Sequence, residues 1–315
     1  MIKKNVIFIL MAVLLVFSTA SCAKGGEETA AEPTVSPVTE PTVSPVTEAA
    51  MAYFADKAAD NNMIAQDAFV EKVVNGEDIF VLDIRQADAY AAGHVAGAYN
   101  APWGSAIADS LDFLPDDQPV YVYCYSGQTA GQTVAALQVA GIDAKSVRYG
   151  FSLGISKVEG YEAIINTTPV LFGASEGVKF DAEVKAAVAD YFNAIGSDEL
   201  APSNIVSSSA AKELIDESEG DVVVLSIRKA DAFAAGHIAG AVNIPWAAGM
   251  QEQFATLPMD KKILTYCYSG QTAGQTVAIL RLLGYDAVSI KSGMGTGGTN
   301  GTGWGNEGFP VVAGN

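Results

Sequence analysis

"YCYSGQTAGQTVA" occupies residues 123–135 and returns unchanged at 266–278. The chain has 315 residues but only three cysteines, Cys22, Cys124 and Cys267, so two of the three sit in this repeated stretch. The two histidines, His94 and His237, share the same 143-residue offset. So does a longer segment: "VLDIRQADAYAAGHVAGAYNAPW" (81–103) matches "VLSIRKADAFAAGHIAGAVNIPW" (224–246). Self-similarity at a fixed offset means two copies of one fold. We assign them to residues 51–175 and 176–315.

Each copy alternates strand-like and helix-like stretches. "IFVLDI" (79–84) and "VVVLSI" (222–227) are short β-branched runs, and "PVYVYC" (119–124) and "KILTYC" (262–267) are second strands ending on cysteine. After each cysteine comes a short polar loop. A helix is then expected, with Thr133, Val134, Leu137 and Ala140 at helical spacing and Gly141 as its stop. The alternation predicts an α/β fold, each copy a parallel sheet covered by helices on both faces. Sites in such sheets form at the carboxyl ends of strands, where both cysteines fall. "FDAEVKAAVADYFNAI" (180–195) places Phe180, Val184, Val188, Tyr191 and Ile195 on one face and is read as the opening helix of the second copy.

The loops Tyr125, Ser126, Gly127, Gln128, Thr129 and Tyr268, Ser269, Gly270, Gln271, Thr272 are the candidate sites. A strand–loop–helix turn curls backbone N–H groups inward, and with the helix dipole these stabilise negative charge on a cysteine sulfur. Such a sulfur is a nucleophile without an adjacent base, and the same cradle holds an anionic persulfide. A buried structural cysteine is the bland alternative.

Strand–cysteine–loop–helix, preceded by "DIR…GHVAGAYNAP", resembles the rhodanese-like sulfurtransferases over nearly all of both copies. The resemblance implies two tandem parallel α/β domains and a ping-pong reaction. Cys124 and Cys267 take the catalytic positions: each accepts sulfane sulfur from a small-molecule or protein donor and passes it to a thiol acceptor. Arg85 and Arg228, at strand ends, either attract a donor or, for Arg85, pair locally with Asp83. His94 and His237, flanked by glycines and small residues, suit a turn-stabilising role. Many family members carry a cation at the loop's end, where this chain has Thr129 and Thr272. That departure argues against thiosulfate as donor and against an arginine-gripped oxyanion.

The formal charge of −18 argues against nucleic acid as partner. With so few cysteines and histidines there is no zinc-cage spacing, and no metal or cofactor is expected. Lys3 and Lys4, an apolar run at 6–17 and the small residues before Cys22 resemble a bacterial lipoprotein signal. That implies removal of residues 1–21, a lipid on Cys22 and an extracytoplasmic, membrane-anchored protein. Ordinary secretion is the alternative. Residues 22–50, with "EPTVSPVT" twice in succession, read as a disordered tether. The glycine-rich stretch at 292–311 is expected to be a mobile loop near the second site. Two other functions compete with sulfur transfer: a non-catalytic scaffold or sensor of reactive sulfur, and a redox pair joining Cys124 to Cys267, which needs the two loop mouths to face each other.

Overall fold

The short β-branched runs become strands because branched side chains pack well on a pleated surface. In the computed structural model, which describes residues 43–55, 61–173, 179–218 and 220–314, both copies use them in the same order. The first copy contains β1 (Met63–Ile64), β2 (Phe80–Asp83), β3 (His94–Val95), β4 (Tyr99–Asn100), β5 (Val120–Tyr123), β6 (Ala144–Val147) and β7 (Ile165–Asn166). The second contains β8 (Ile205–Val206), β9 (Val222–Ser226), β10 (Val242–Asn243), β11 (Lys262–Tyr266) and β12 (Ala287–Ile290). The sheets run β1-β6-β5-β2-β4 and β8-β12-β11-β9-β10, with every pairing parallel. β3 and β7 form a separate antiparallel pair. The two-domain parallel α/β fold expected from the sequence is therefore present.

Helices α1 (Pro45–Ala52), α2 (Gln66–Val74), α3 (Ala87–Ala92), α4 (Ser105–Ser110) and α5 (Gln128–Val139) belong by sequence to the first copy. Helices α6 (Ala182–Asn193), α7 (Ser208–Glu217), α8 (Ala230–Ala235) and α9 (Gln271–Leu282) belong to the second. Strand periodicity divides each core in two. Val120, Val122 and Cys124 face one side of the first sheet, with Tyr121 and Tyr123 on the other. The side carrying the cysteines is shared: Leu82, Ile84 and Val122 lie in the same cluster as Leu225, Ile227 and Ile263 of the second copy. Residues Val43–Asn315 accordingly form one compact unit.

Helices α5 and α9 meet in this seam. Gly131 and Gly274 allow the approach, since a Cβ on either would come within 2.5 Å of the carbonyl oxygen of Gln271 or Gln128 respectively. The opening helices are exchanged across it. Phe54, just after α1, packs edge-on against Trp246 and Phe254 of the second copy, at centroid distances of 5.2 and 5.7 Å. Phe192 of α6 packs against Trp103 of the first, at 5.9 Å. Thus α6 opens the second copy by sequence but covers the first copy with its apolar face. Its buried residues are Val184, Val188, Tyr191 and Phe192, with Asp181 capping the helix through bonds from Glu183 and Val184 N–H groups.

Two expectations need correction. The stretch read as tether up to residue 50 contains α1, capped by Ser44 and burying Val46 and Ala50; a proline at the first helical position suits a helix start as well as a tether. The glycine-rich stretch is a packed segment. Trp304 is 1% exposed and donates from Nε1 to the Pro310 carbonyl at 2.8 Å. Asn306 Nδ2 donates to the oxygens of Thr296 and Thr302 and to Thr299 Oγ1. The segment 1–21, Cys22 and the tether to residue 42 lie outside the described residues. Among the described residues, no helix is long and apolar enough to cross a membrane.

Candidate functional site

Each cysteine lies one residue past its central strand. The chain must then reverse into a helix, and glycine in the left-handed region makes this possible: φ is 89° at Gly127 and 86° at Gly270. The loop carbonyls are tied down from the opposite side. Phe151 N–H donates to the Cys124 carbonyl at 2.7 Å and Ser152 N–H to that of Tyr125 at 2.9 Å. In the second copy Met294 and Gly295 do the same for Cys267 and Tyr268, both at 2.9 Å. Gly150 and Gly293 permit this clamp, because a Cβ there would come within 2.4 Å of the Cys124 carbonyl oxygen and 2.5 Å of that of Cys267.

With the carbonyls occupied, the N–H groups face the sulfur. Cys124 Sγ accepts from Gly127 N–H at 3.0 Å and Ala130 N–H at 3.4 Å. Cys267 Sγ accepts from Gly270 N–H at 3.1 Å. The N-termini of α5 and α9 add the positive end of their dipoles. Both cysteines are free thiols and only 2% exposed.

The loops expected at 125–129 and 268–272 are shorter than anticipated, since α5 starts at Gln128 and α9 at Gln271. Tyr125 and Tyr268 are exposed, and their hydroxyls accept from Gln86 N–H and Lys229 N–H, each at 3.3 Å. Ser126, Thr129, Ser269 and Thr272 are half-buried. Gln128 and Gln271 turn away into the seam. Gln128 Nε2 donates to Ser289 Oγ at 2.5 Å and to the Ile290 carbonyl at 3.1 Å, while its Oε1 accepts from Ser292 N–H at 3.1 Å. Gln271 Oε1 accepts from Tyr149 N–H at 2.9 Å. The repeated stretch therefore holds a sulfur cradle and one side of a helix-packing surface.

Arg85 is committed to Asp83. Its Nε lies 3.0 and 3.1 Å from the two carboxylate oxygens and its Nη2 lies 2.6 Å from Oδ2, with a further bond to the Gly93 carbonyl. Burial opposes the charge on Arg85, but the hydrogen bonds and charge of Asp83 outweigh it and hold the guanidinium above its usual pKa. The guanidinium also lies 4.0 Å over the Phe151 ring. Arg85, Phe151, Ser152, Tyr161 and Glu162 help line a cleft of about 640 Å³ beside the loop. His94 Nδ1 is 2.8 Å from the Tyr90 carbonyl and His237 Nδ1 is 3.0 Å from that of Phe233, each ring stacked on the aromatic side chain of the same partner.

The rhodanese-like domain model matches residues 66–156 and 209–294, one match in each copy and together more than half of the chain. The chain belongs to the rhodanese family. It is 38% identical over 78 residues to the thiosulfate sulfurtransferase GlpE of Pseudomonas putida, covering 24% of this chain and 70% of that protein. With YrkF of Bacillus subtilis it shares 24% identity over 115 residues, 36% of this chain and 51% of that one. The solved structure of thiosulfate sulfurtransferase from Pseudomonas aeruginosa is similar over 78% of this chain and 45% of its own, at 16% identity and a TM-score of 0.33. The chain spans about half the length of these last two proteins. Within this tandem rhodanese, sequence reading missed the glycine clamp. Its signal was present, because Gly150 in "RYGFS" and Gly293 in "KSGMG" share the 143-residue offset.

Proposed function

We propose that this rhodanese carries sulfane sulfur on Cys124 and Cys267 as persulfides and delivers it to thiols. The observation that carries this reading is the pair of backbone N–H groups at 3.0 and 3.4 Å from Cys124 Sγ, with a matching donor at Cys267. A thiolate held there attacks the terminal sulfur of a donor. A cysteine–sulfur bond forms, the donor's sulfur–sulfur bond breaks, and the electron pair leaves with the donor remainder. The new terminal sulfur is anionic and meets the same donors and helix dipole. An acceptor thiolate then attacks it, becomes a persulfide and restores the cysteine thiolate.

At 2% exposure, each cysteine favours a donor that presents its sulfur on a narrow chain, such as a hydropolysulfide or an alkyl persulfide. Neither loop supplies a cation, so thiosulfate, a dianion, is a poor donor in this reading. The cleft beside Arg85 and Phe151 offers an acceptor a place in the first domain. We place the reaction outside the cytoplasm, with the domains anchored through a lipid on Cys22.

Intact-mass spectrometry after exposure to polysulfide, an alkyl persulfide and thiosulfate in turn tests the proposal. Polysulfide and persulfide should add one sulfur per domain, and a thiol should remove it. Cys124→Ser and Cys267→Ser should each lose one addition, and Cys22→Ala should leave the membrane fraction with both sites still loading. No addition, or addition that persists in the Cys124/Cys267 double variant, overturns the reading.

A further inference from the structure

The ends of β2 and β9 are the same except at one position: Leu82-Asp83-Ile84-Arg85 against Leu225-Ser226-Ile227-Arg228. Residues two apart on a strand share a face, so residue 85 looks back at 83 and residue 228 at 226. In the first domain the Asp83 carboxylate takes up the donors that converge there. Arg85 N–H donates to it at 2.9 Å, and Nε and Nη2 follow at 2.6 to 3.1 Å. Asp83 is 0% exposed and Arg85 4%. Tyr123 stands opposite Asp83 in the sheet, with Arg85 Cζ 5.4 Å from its ring centroid.

The second domain keeps this frame and lacks the charge. Ser226 pairs with Tyr266 as Asp83 does with Tyr123. Arg228 Cζ is again 5.4 Å from the tyrosine centroid. Its Nη2 donates to the Gly236 carbonyl, as Arg85 does to Gly93. Ser226 Oγ, however, meets only the Arg228 backbone N–H among the described residues, at 3.4 Å. Arg228 Nε is buried with no hydrogen-bond partner among the described residues, and no carboxylate among them pairs with the guanidinium. The Tyr266 hydroxyl accepts from Ile238 N–H at 3.3 Å, which leaves its own proton to donate.

A buried guanidinium without a counter-charge is strongly destabilising. Serine in place of aspartate removes one negative charge and leaves the buried Nε without an acceptor among the described residues. Arg228 is only 5% exposed, so the missing charge fits a small ion better than a donor molecule of several atoms. We propose that the second domain binds a small monovalent anion, a halide such as chloride, against Arg228 and Ser226, where the first domain carries the carboxylate of Asp83. Arg228 Cζ lies 5.8 Å from the ring centroid of Tyr268 in the second loop, but the proposal rests on the unpaired guanidinium and not on sulfur loading.

Thermal unfolding and chloride NMR line width of the full chain test this, with gluconate replacing chloride at constant ionic strength. Wild type should show a saturable rise in Tm of about 2–4 °C with chloride and a broadened chloride signal that bromide competes away. Ser226→Asp supplies the charge covalently and should lose both responses, while keeping in gluconate the Tm that wild type reaches in chloride. Should that variant not fold, Arg228→Met gives the second comparison and should also leave the chloride line sharp. A chloride line that wild type does not broaden, or equal broadening by wild type and Arg228→Met, overturns the proposal.

Discussion

Asp83 and Arg85 show what one residue contributes when its partner is buried. The two are 0% and 4% exposed, so solvent screens neither charge, and the guanidinium has its donors on both carboxylate oxygens. Removing the charge while keeping the shape leaves a buried cation whose desolvation is no longer offset. Asp83→Asn should therefore destabilise the protein by about 3–5 kcal/mol, read as a shift in the urea midpoint at unchanged slope. A change within about 0.5 kcal/mol would show that Arg85 finds another acceptor. Of the two roles open to Arg85 in the sequence, geometry favours the local pair. The sequence leaves that choice open because an i, i+2 carboxylate on a strand is compatible with both.

At the scale of elements, α5 and α9 explain why thirteen residues are repeated without change. Two helices crossing in a seam shared by both copies present the same surface to each other, so a residue on one side is also the partner on the other. Gly131 sits where a Cβ would come within 2.5 Å of a main-chain oxygen, which a side-chain rotation cannot relieve. Gly131→Ala should force the helices apart and cost about 1–3 kcal/mol, and Gly274→Ala should cost a similar amount, measured as loss of Tm. Stability unchanged by either substitution would mean that the seam is loosely packed. The two central strands of each copy and both central helices were legible in the sequence from branched runs, spacing and Gly141, whereas the short edge strands and the strands after α5 and α9 were not. The double role of the loop was not. Gln128 and Gln271 read as polar loop residues because composition does not distinguish a glutamine facing solvent from one bonded across a buried seam. The glycine-rich segment was misread for a related reason: glycine count suggests mobility, while the buried Trp304 and the bonds of Asn306 oppose it.

Across the whole molecule, the two copies are bound by exchange as well as by contact. The apolar stripe of α6 predicted that it must pack, but periodicity does not say against which body. The reciprocal bonds supply the answer. Tyr53 donates to Gln275 Oε1 at 2.6 Å, and Tyr191 donates to Gln132 Oε1 at 2.6 Å. Burial pushes the Tyr191 phenol well above its usual pKa, against a smaller downward pull from Asn204, so it remains a donor throughout the neutral range. Half of the molecule alone would expose the shared core along α5 and leave α1 without the surface that Trp246 provides. It carries substitutes for what it loses. Trp103 is the counterpart of Trp246, and Ser146 and the Tyr149 N–H are the counterparts of Ser289 and the Ser292 N–H that hold Gln128. A second copy of the first repeat could thus satisfy each of these contacts, as an isologous interface requires. Residues 43–173 expressed alone should form a homodimer, with sedimentation equilibrium giving twice the chain mass and Gly131→Ala weakening the association. A folded monomer at concentrations where dimers normally persist would show that the seam joins two domains that are each stable without it.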